Sequence, residues 1–550
     1  MYWSLPLTAI SGIVGFNNTP IIKGTHSHVQ YVTDEGSEVW PWLQYKTSPH
    51  TPPHMNISVN RKEELAPGYV FLDPSDINEA DGTEELSGTG FIMTTDGDLV
   101  FAGLETGMGF CQYWTAGMTD FRKQRYNGKS YLTYWNGCNT RKSHWGHRWG
   151  RVTFIDEEYT NFTLNPNLGV NMLDPAPKGQ IDVHEHQMTD RNTMLVTSYN
   201  NSQVNLTALD GPEDGWVADS MFFEVDIETQ NVLFEWRAMD HIPLKKHNMG
   251  WHHAGNASEK VPWDWFHINS VQLVGENYLI SARHHWSLYL LSKNGSVIWE
   301  LNGVDGGDFG SIPSPFHWQH HARAWNVSEE GMAVSLFNNK VNGAKEEAFQ
   351  TEGIAYYLPM PASNSTPPRL LKRLQTNEEP LYSGTQGSYT FDLGNGNGFI
   401  GYGLLPIARE YGKAWDGSEL LWQAQFGEPK SVQSYRVYKD TWHGTPKHWD
   451  PVAKIEQVRS KKPKVYVSWN GATDIEGWAV YAGPSPDKLE SMGVVEKKGF
   501  ETVLDLPGSR SNLCVQLGAI RDGAIIRASN VDCIGEWSTI WGIEAIQGGG

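Results

Sequence analysis

The stretch YLISARHHWSLYLLSKNGSVIW, from Tyr278 to Trp299, decides the fold class. It holds two short apolar runs, Tyr278-Leu-Ile-Ser281 and Leu288-Tyr-Leu-Leu291. An Asn294-Gly295 turn then leads into a third run that closes on Trp299. Short apolar runs cut by turn residues read as strands, and runs joined by a Gly-containing turn read as hairpins. The same ending recurs in Asp96-Gly-Asp-Leu-Val-Phe101, in Glu228-Thr-Gln-Asn-Val-Leu-Phe-Glu-Trp236 and in Asp416-Gly-Ser-Glu-Leu-Leu-Trp422. Phe222-Phe-Glu-Val225 precedes the Trp236 hairpin as Leu288–Leu291 precedes Trp299. A hairpin closing on an aromatic, repeated at irregular spacing, is how propeller blades read when insertions separate them.

Further strand-like runs are Gly68-Tyr-Val-Phe-Leu72, Gly90-Phe-Ile-Met93, Met194-Leu-Val-Thr197 and Met332-Ala-Val-Ser-Leu336, and no long amphipathic helix interrupts them. The expected class is therefore all-β. About six hairpin units fit between residues 66 and 445, which predicts a six-bladed β-propeller; a large irregular sandwich is the alternative. Residues 1–65 read as an N-terminal segment. After the basic Lys461-Lys-Pro-Lys464 linker, short strands over 463–535 suit a small fibronectin type III-like sandwich, followed by a tail over 536–550.

The balance of 63 acidic against 43 basic side chains, net −20, argues against nucleic acid as a partner. An aromatic content of 12%, with 24 Trp, is too high for disorder. No apolar stretch is long enough for a membrane helix. The apolar opening Met1–Phe16 lacks a basic start and a cleavage site, so it reads as a mature strand or as the remnant of a removed leader.

Asn-x-Ser/Thr sequons stand at Asn17, Asn56, Asn161, Asn200, Asn205, Asn256, Asn294, Asn326 and Asn364. They mark glycosylation in a secreted chain, or else ordinary Asn-rich turns. The four cysteines fall into two local couples, Cys111–Cys138 and Cys514–Cys533. Two disulfides follow if the chain is secreted; four buried thiols are the alternative. A eukaryotic secretory route reconciles both signals.

Histidines cluster at Asp182-Val-His184-Glu-His186, Asp264-Trp-Phe-His267-Ile-Asn269-Ser, Ser281-Ala-Arg283-His284-His285 and His317-Trp-Gln-His320-His321-Ala-Arg323, with a further pair at His252-His253. Alternate residues of a strand share a face, so His184 and His186 are expected on one face, as are His267 and Asn269. His184, His267 and His320 each stand near the start of a predicted blade. They are expected to converge on a central channel, with Arg283 beside them. That set offers imidazoles for proton or group transfer, one amide and one fixed cation. The competing reading is inner-strand polarity that serves only channel water. No metal or other cofactor is expected, because Arg283 repels a dication and only Glu185 offers a supporting carboxylate.

Five stretches carry a resemblance: Leu65-Ala-Pro-Gly-Tyr-Val-Phe71, Asp182-Val-His-Glu185, Asp264-Trp-Phe-His-Ile-Asn-Ser270, Ser281-Ala-Arg-His284, and Gln319-His-His-Ala322 with Ser335-Leu-Phe-Asn-Asn339. They resemble the fungal branch of the arylsulfotransferase-like β-propeller family over roughly residues 40–440. The resemblance implies a site in the channel of a six-bladed propeller. It implies His320 as a transiently sulfated nucleophile, with His267, Asn269 and Arg283 as a clamp and His184 as the remaining acid or base. The family's usual Gln-His-Asp-Ala is here Gln319-His320-His321-Ala322, an altered neighbourhood for the presumed nucleophile.

The fungal branch includes hetero-Diels-Alderases that join a tropolone quinone methide to a terpene. For these, an apolar pocket and proton donors suffice. Trp265, Trp286 and Trp318, with His186 and His321, are expected to line a site for an aromatic small molecule; blade packing is the other reading of the Trp residues. The altered Gln-His-His-Ala, together with the glycosylated, fungal-type context, tips the expectation narrowly to cycloaddition. Aryl sulfotransfer is the close alternative, and a non-catalytic binding propeller is the third. Oligomeric state is not readable from the sequence.

Overall fold

The computed structural model describes residues 22–26, 41–78, 83–85, 89–103, 116–138, 146–171, 179–244, 254–340, 350–376, 378–429, 431–457, 462–507 and 512–534. Nearly all of their regular secondary structure is β-strand; the one α-helix among them is the single turn Ala238–His241.

Six of the sheets are antiparallel meanders. The first combines Tyr69–Leu72, Phe91–Met93 and Leu99–Ala102 with the late strand Tyr438–Asp440. The second runs through Ala116–Tyr126, Lys129–Cys138, Trp149–Ile155 and Asn161–Leu164. The third is His186–Met188, Thr193–Val204, Gly215–Asp226 and Val232–Arg237. The fourth is Ile268–Val274, Asn277–Ala282, Ser287–Leu291 and Val297–Asn302. The fifth is His320–Trp325, Gly331–Asn338, Glu352–Pro359 and Arg369–Leu374. The sixth is Ser388–Thr390, Gly398–Gly401, Ile407–Tyr411 and Leu420–Gln425, with Asn56–Asn60 added outside.

Strands of this kind are apolar on both faces, so each meander must be covered on both sides. Shared cores supply the cover in sequence order. Phe71 and Phe101 pack with Phe121 and Tyr134, joining first to second. Val152 packs with Val196 and Phe223, joining second to third. Phe222 and Trp236 pack with Tyr278, joining third to fourth. Trp299 packs with Val334 and Tyr356, joining fourth to fifth. Phe337 packs with Tyr389 and Ile400, joining fifth to sixth. Leu99 packs with Phe399 and Trp422, so the sixth meets the first. The closing aromatics that recur in the sequence, Phe101, Trp236, Trp299 and Trp422, are all buried in these cores.

Two more sheets share a separate core built on Val465, Trp469, Trp478 and Val515. One contains Val452–Glu456, Lys464–Ser468, Thr502–Asp505 and Gly24–His26. The other contains Gly477–Gly483, Glu490–Glu496, Leu513–Arg521, Ala524–Ala528 and Asp532–Ile534. The pairing reaches back to Val452, ahead of the expected start at 463, and takes in a strand from the N-terminal segment. Lys464 opens the strand that pairs with Val452–Glu456, so the expected linker falls inside this sheet and not between the two pieces. Cys514 and Cys533 face each other in register and form a disulfide. The side chains of Cys111 and Cys138, with Asn17, His252, His253 and residues 536–550, lie outside the described set. Of the other sequons all but Asn200 are exposed, and Asn200 is half-buried.

Candidate functional site

The first strands of the second, fourth and fifth meanders carry a recurring break. Register shifts fall between Thr119 and Arg122, Ile268 and Ser270, and His320 and Arg323. Asp120, His267 and His321 beside these breaks have φ of 59°, 57° and 54°. Non-glycine residues rarely hold such angles, and they cluster where a side chain must be re-aimed. Here the bulges turn polar side chains inward, and two buried layers result.

The first layer is centred on Asp264. Its Oδ2 accepts from His267 Nδ1 at 2.5 Å and from His147 Nε2 at 3.0 Å. Its backbone oxygen accepts from His284 Nδ1 at 2.6 Å. His284 Nε2 in turn accepts from Arg283 Nη1 at 3.1 Å, and Arg283 Nη2 donates to Gly384 O at 3.2 Å. Asp182 Oδ2 accepts from His184 Nδ1 at 2.5 Å. The His184 and His267 rings stand 4.8 Å apart, edge to face. Burial lowers the His267 pKa to about 4 although Asp264 opposes the shift. For His147 burial also disfavours charge, but Asp264 outweighs it and the pKa rises.

His320 is held by its own partners. Asn339 Nδ2 donates to Ser383 O at 2.8 Å and to Gln386 O at 3.1 Å. That fixes the amide so that Oδ1 faces the ring and accepts from His320 Nδ1 at 2.7 Å. Trp318 O accepts from the same nitrogen at 3.1 Å. The proton is therefore on Nδ1, and Nε2 keeps its lone pair, met among the described residues only by the Gln386 N–H at 3.3 Å. Burial, then Arg283, hold the His320 pKa well below its ordinary value, so the ring is neutral. Asn269 Nδ2 donates to Gln319 O at 2.7 Å, while its buried Oδ1 has no partner among the described residues. Arg283 lies over Trp318 at 5.1 Å, and Trp286 meets Trp318 edge-on at the same spacing.

The second layer is ionic. Glu185 accepts from Arg323 at 2.7 Å, from Arg122 at 2.9 Å and from Arg436 at 3.1 Å. Arg436 also donates to the backbone oxygens of His184 and Asn269, and it pairs with Asp120 at 3.1 Å. Burial alone raises the Glu185 pKa, but the three guanidiniums hold it well below the usual range.

The structure brings His184, His267, Arg283 and His320 toward one place, with Asn269 beside them. It separates His186 and His321 from that group. Residues 183–185 form a turn between two short strands, so the two-residue period does not carry from His184 to His186. His186 instead lies 3.3 Å from Asp120 in the ionic layer. His321, past the bulge, sits against the Tyr389 backbone and the Tyr438 ring. Trp265 is fully buried between Phe266 and His285, which is packing. Glu185, expected as a supporting carboxylate, serves the arginines; Asp182 and Asp264 support the histidines. His147, Asp264, Asn339, Arg436 and Tyr435 were not among the candidates drawn from the sequence. Asp264 and Asn339 stand inside quoted motifs, and their spacing from His267 and His320 was the available signal. His147, Arg436 and Tyr435, whose ring stands edge-on to that of His184 at 6.0 Å, reach the site only through the fold. As for metals, the ligand atoms of His147, Asp264 and His267 lie within 4.8 Å of one another.

Fold and site together define an all-β scaffold of antiparallel sheets that buries a histidine cluster organised by carboxylates. The arylsulfotransferase (ASST) family profile matches residues 122–427, and the chain belongs to that family. No curated protein matches the sequence. Among solved structures, a candidate glycoside hydrolase from Parabacteroides distasonis is similar at 12% identity over 67% of this chain and 99% of its own, with a TM-score of 0.26. Apo AztD from Citrobacter koseri is similar at 9% identity over 80% of this chain and 100% of its own, with a TM-score of 0.23. Such scores carry no argument about fold or function.

Proposed function

We propose that the six meanders are blades of a propeller and that the chain is an enzyme transferring a sulfuryl group between phenolic molecules at His320. The observation that carries this reading is the Asn339 amide, which fixes His320 with a neutral, lone-pair-bearing Nε2. In the first step that lone pair attacks sulfur. The N–S bond forms as the aryl S–O bond breaks, and the aryl oxygen leaves with the electron pair. In the second, an acceptor phenol loses its proton to His267 or His184 and attacks sulfur, and the N–S pair returns to His320. Arg283 offsets the charge on the sulfuryl oxygens.

A second reading, hetero-Diels-Alder cycloaddition between a tropolone quinone methide and a terpene, is favoured by the Trp286–Trp318 wall under Arg283. It ranks second because His321, whose departure from the family pattern suggested it, does not orient His320. A binding propeller without catalysis ranks third. The Cys514–Cys533 disulfide and the exposed sequons support a secretory route. No helix among the described residues is long and apolar enough to cross a membrane. The fungal assignment and the fibronectin-like character of the C-terminal sheets belong to this same proposal.

The test is incubation with p-nitrophenyl sulfate and a phenol. Nitrophenol release, a sulfuryl mass gain mapped to His320, and loss of both in His320→Ala are expected. No release sinks sulfuryl transfer. Turnover of a quinone methide with a terpene that survives in His320→Ala establishes the second reading.

A further inference from the structure

We propose that His147, Asp264 and His267 form a binding site for a divalent transition metal of zinc-like chemistry. The site does not depend on the sulfuryl-transfer reading. Two imidazoles and one carboxylate are a standard zinc donor set, and three protein ligands leave a fourth position for an exogenous oxygen. All three residues are buried. The second oxygen of the carboxylate, Asp264 Oδ1, is buried with no hydrogen-bond partner among the described residues. An orphaned carboxylate oxygen inside a protein is costly, and a bound cation relieves that cost.

The present spacings are already close to a coordination shell. His147 Nε2 and His267 Nδ1 lie 3.0 Å and 2.5 Å from Asp264 Oδ2. Tetrahedral zinc with bonds near 2.0–2.1 Å puts its ligand atoms about 3.3 Å apart. Coordination requires the Asp264–His267 pair to open slightly and the two ring nitrogens, now within 4.8 Å of each other, to close toward that spacing. The metal takes the place of the two bridging ring protons, and each imidazole then carries its proton on the other nitrogen. His267 would thereby change from acceptor to donor at Nε2.

Charge is compatible as well. Asp182 lies on His184, whose ring is 4.8 Å from that of His267, so Asp182 and Asp264 both stand close to the site and oppose the Arg283 guanidinium. Stacking on Tyr199 at 3.7 Å fixes the His147 ring plane without using its nitrogens.

The test uses the full chain, stripped of metal by chelator, desalted and titrated with zinc chloride in a calorimeter. One tightly bound zinc per chain is expected. His147→Gln, checked for fold by circular dichroism, should bind at least ~10-fold more weakly, and His320→Ala should bind like the parent. On the wild type, zinc-edge X-ray absorption should show an oxygen and nitrogen shell with two imidazoles, a readout that needs no variant. No retained zinc, unaltered affinity in His147→Gln, loss of affinity in His320→Ala, or a sulfur shell would each overturn the site.

Discussion

At the residue scale the imidazoles differ by what their Nδ1 atoms touch. His184 and His267 face carboxylates, whereas His320 faces a neutral amide whose own donors are committed to Ser383 and Gln386. A neutral partner orients the ring without favouring its protonation as strongly, which suits a nucleophile. Asn339→Ala should therefore keep the fold and lower kcat by about 10²-fold with little change in KM, since the substrate meets Nε2 and not Asn339. Steady-state kinetics on an aryl sulfate checks this. His186 tests the other layer. Burial pulls its pKa down to about 3. Between about pH 6.5 and 3 the unfolded chain binds a proton that the native state refuses, so stability falls as pH is lowered through that window. The fall in Tm between pH 7 and pH 4 should be shallower in His186→Gln than in the parent, as read by calorimetry. His184, His267, Asn269, Arg283 and His320 were legible because contiguous motifs name them. His147 and Arg436 were not, because what makes them matter is a partner more than a hundred residues away, Asp264 for one and Asp120 and Glu185 for the other.

At the element scale, short apolar runs and turn residues were enough to locate strands such as those at Tyr278–Ser281, Leu288–Leu291 and Met332–Leu336, each inside an observed strand. They could not reveal the bulges at Thr119/Arg122, Ile268/Ser270 and His320/Arg323, which have no composition of their own. The bulge at His320/Arg323 holds His321 at a φ of 54° against the Tyr389 backbone, while His320 meets Asn339. The outer strands were easier to read. Trp236 and Trp299 are the residues that largely exposed edge strands insert into the core beside them. Trp236 is 1% exposed, stacks on Phe222 and His241, and donates from Nε1 to Gly295 O of the next meander at 3.0 Å. Its neighbour Leu233 on the same strand is 58% exposed. Trp236→Ala should cost about 3–5 kcal/mol in denaturant unfolding, and Leu233→Ala should cost far less. Equal costs would mean that the strand is not anchored by its aromatic.

At the scale of the whole molecule, the difficulty is holding together strands from different meanders that approach one another with polar faces. The ionic layer answers it with charges. Arg122 and Asp120 come from the second meander, Glu185 from the turn into the third, Arg323 from the fifth, and Arg436 from just before the strand that completes the first. Arg436 adds a bond to the Asn269 backbone in the fourth. The site above depends on this arrangement, because Arg436 holds the backbone oxygens of both His184 and Asn269. Buried ion pairs contribute little over an apolar equivalent, but removing one partner leaves the others desolvated and unpaired. Three guanidiniums share the Glu185 carboxylate, so its loss is felt by all of them. Glu185→Gln preserves shape and removes only the charge. It should lower unfolding free energy by about 3 kcal/mol or more, a larger loss than from neutralising the exposed pair partner Glu276, which faces Lys293 at the surface. Urea denaturation of the two variants side by side decides the point. If Glu185→Gln is as stable as Glu276→Gln, these strands are held by the apolar cores between the meanders and not by the arginine cluster.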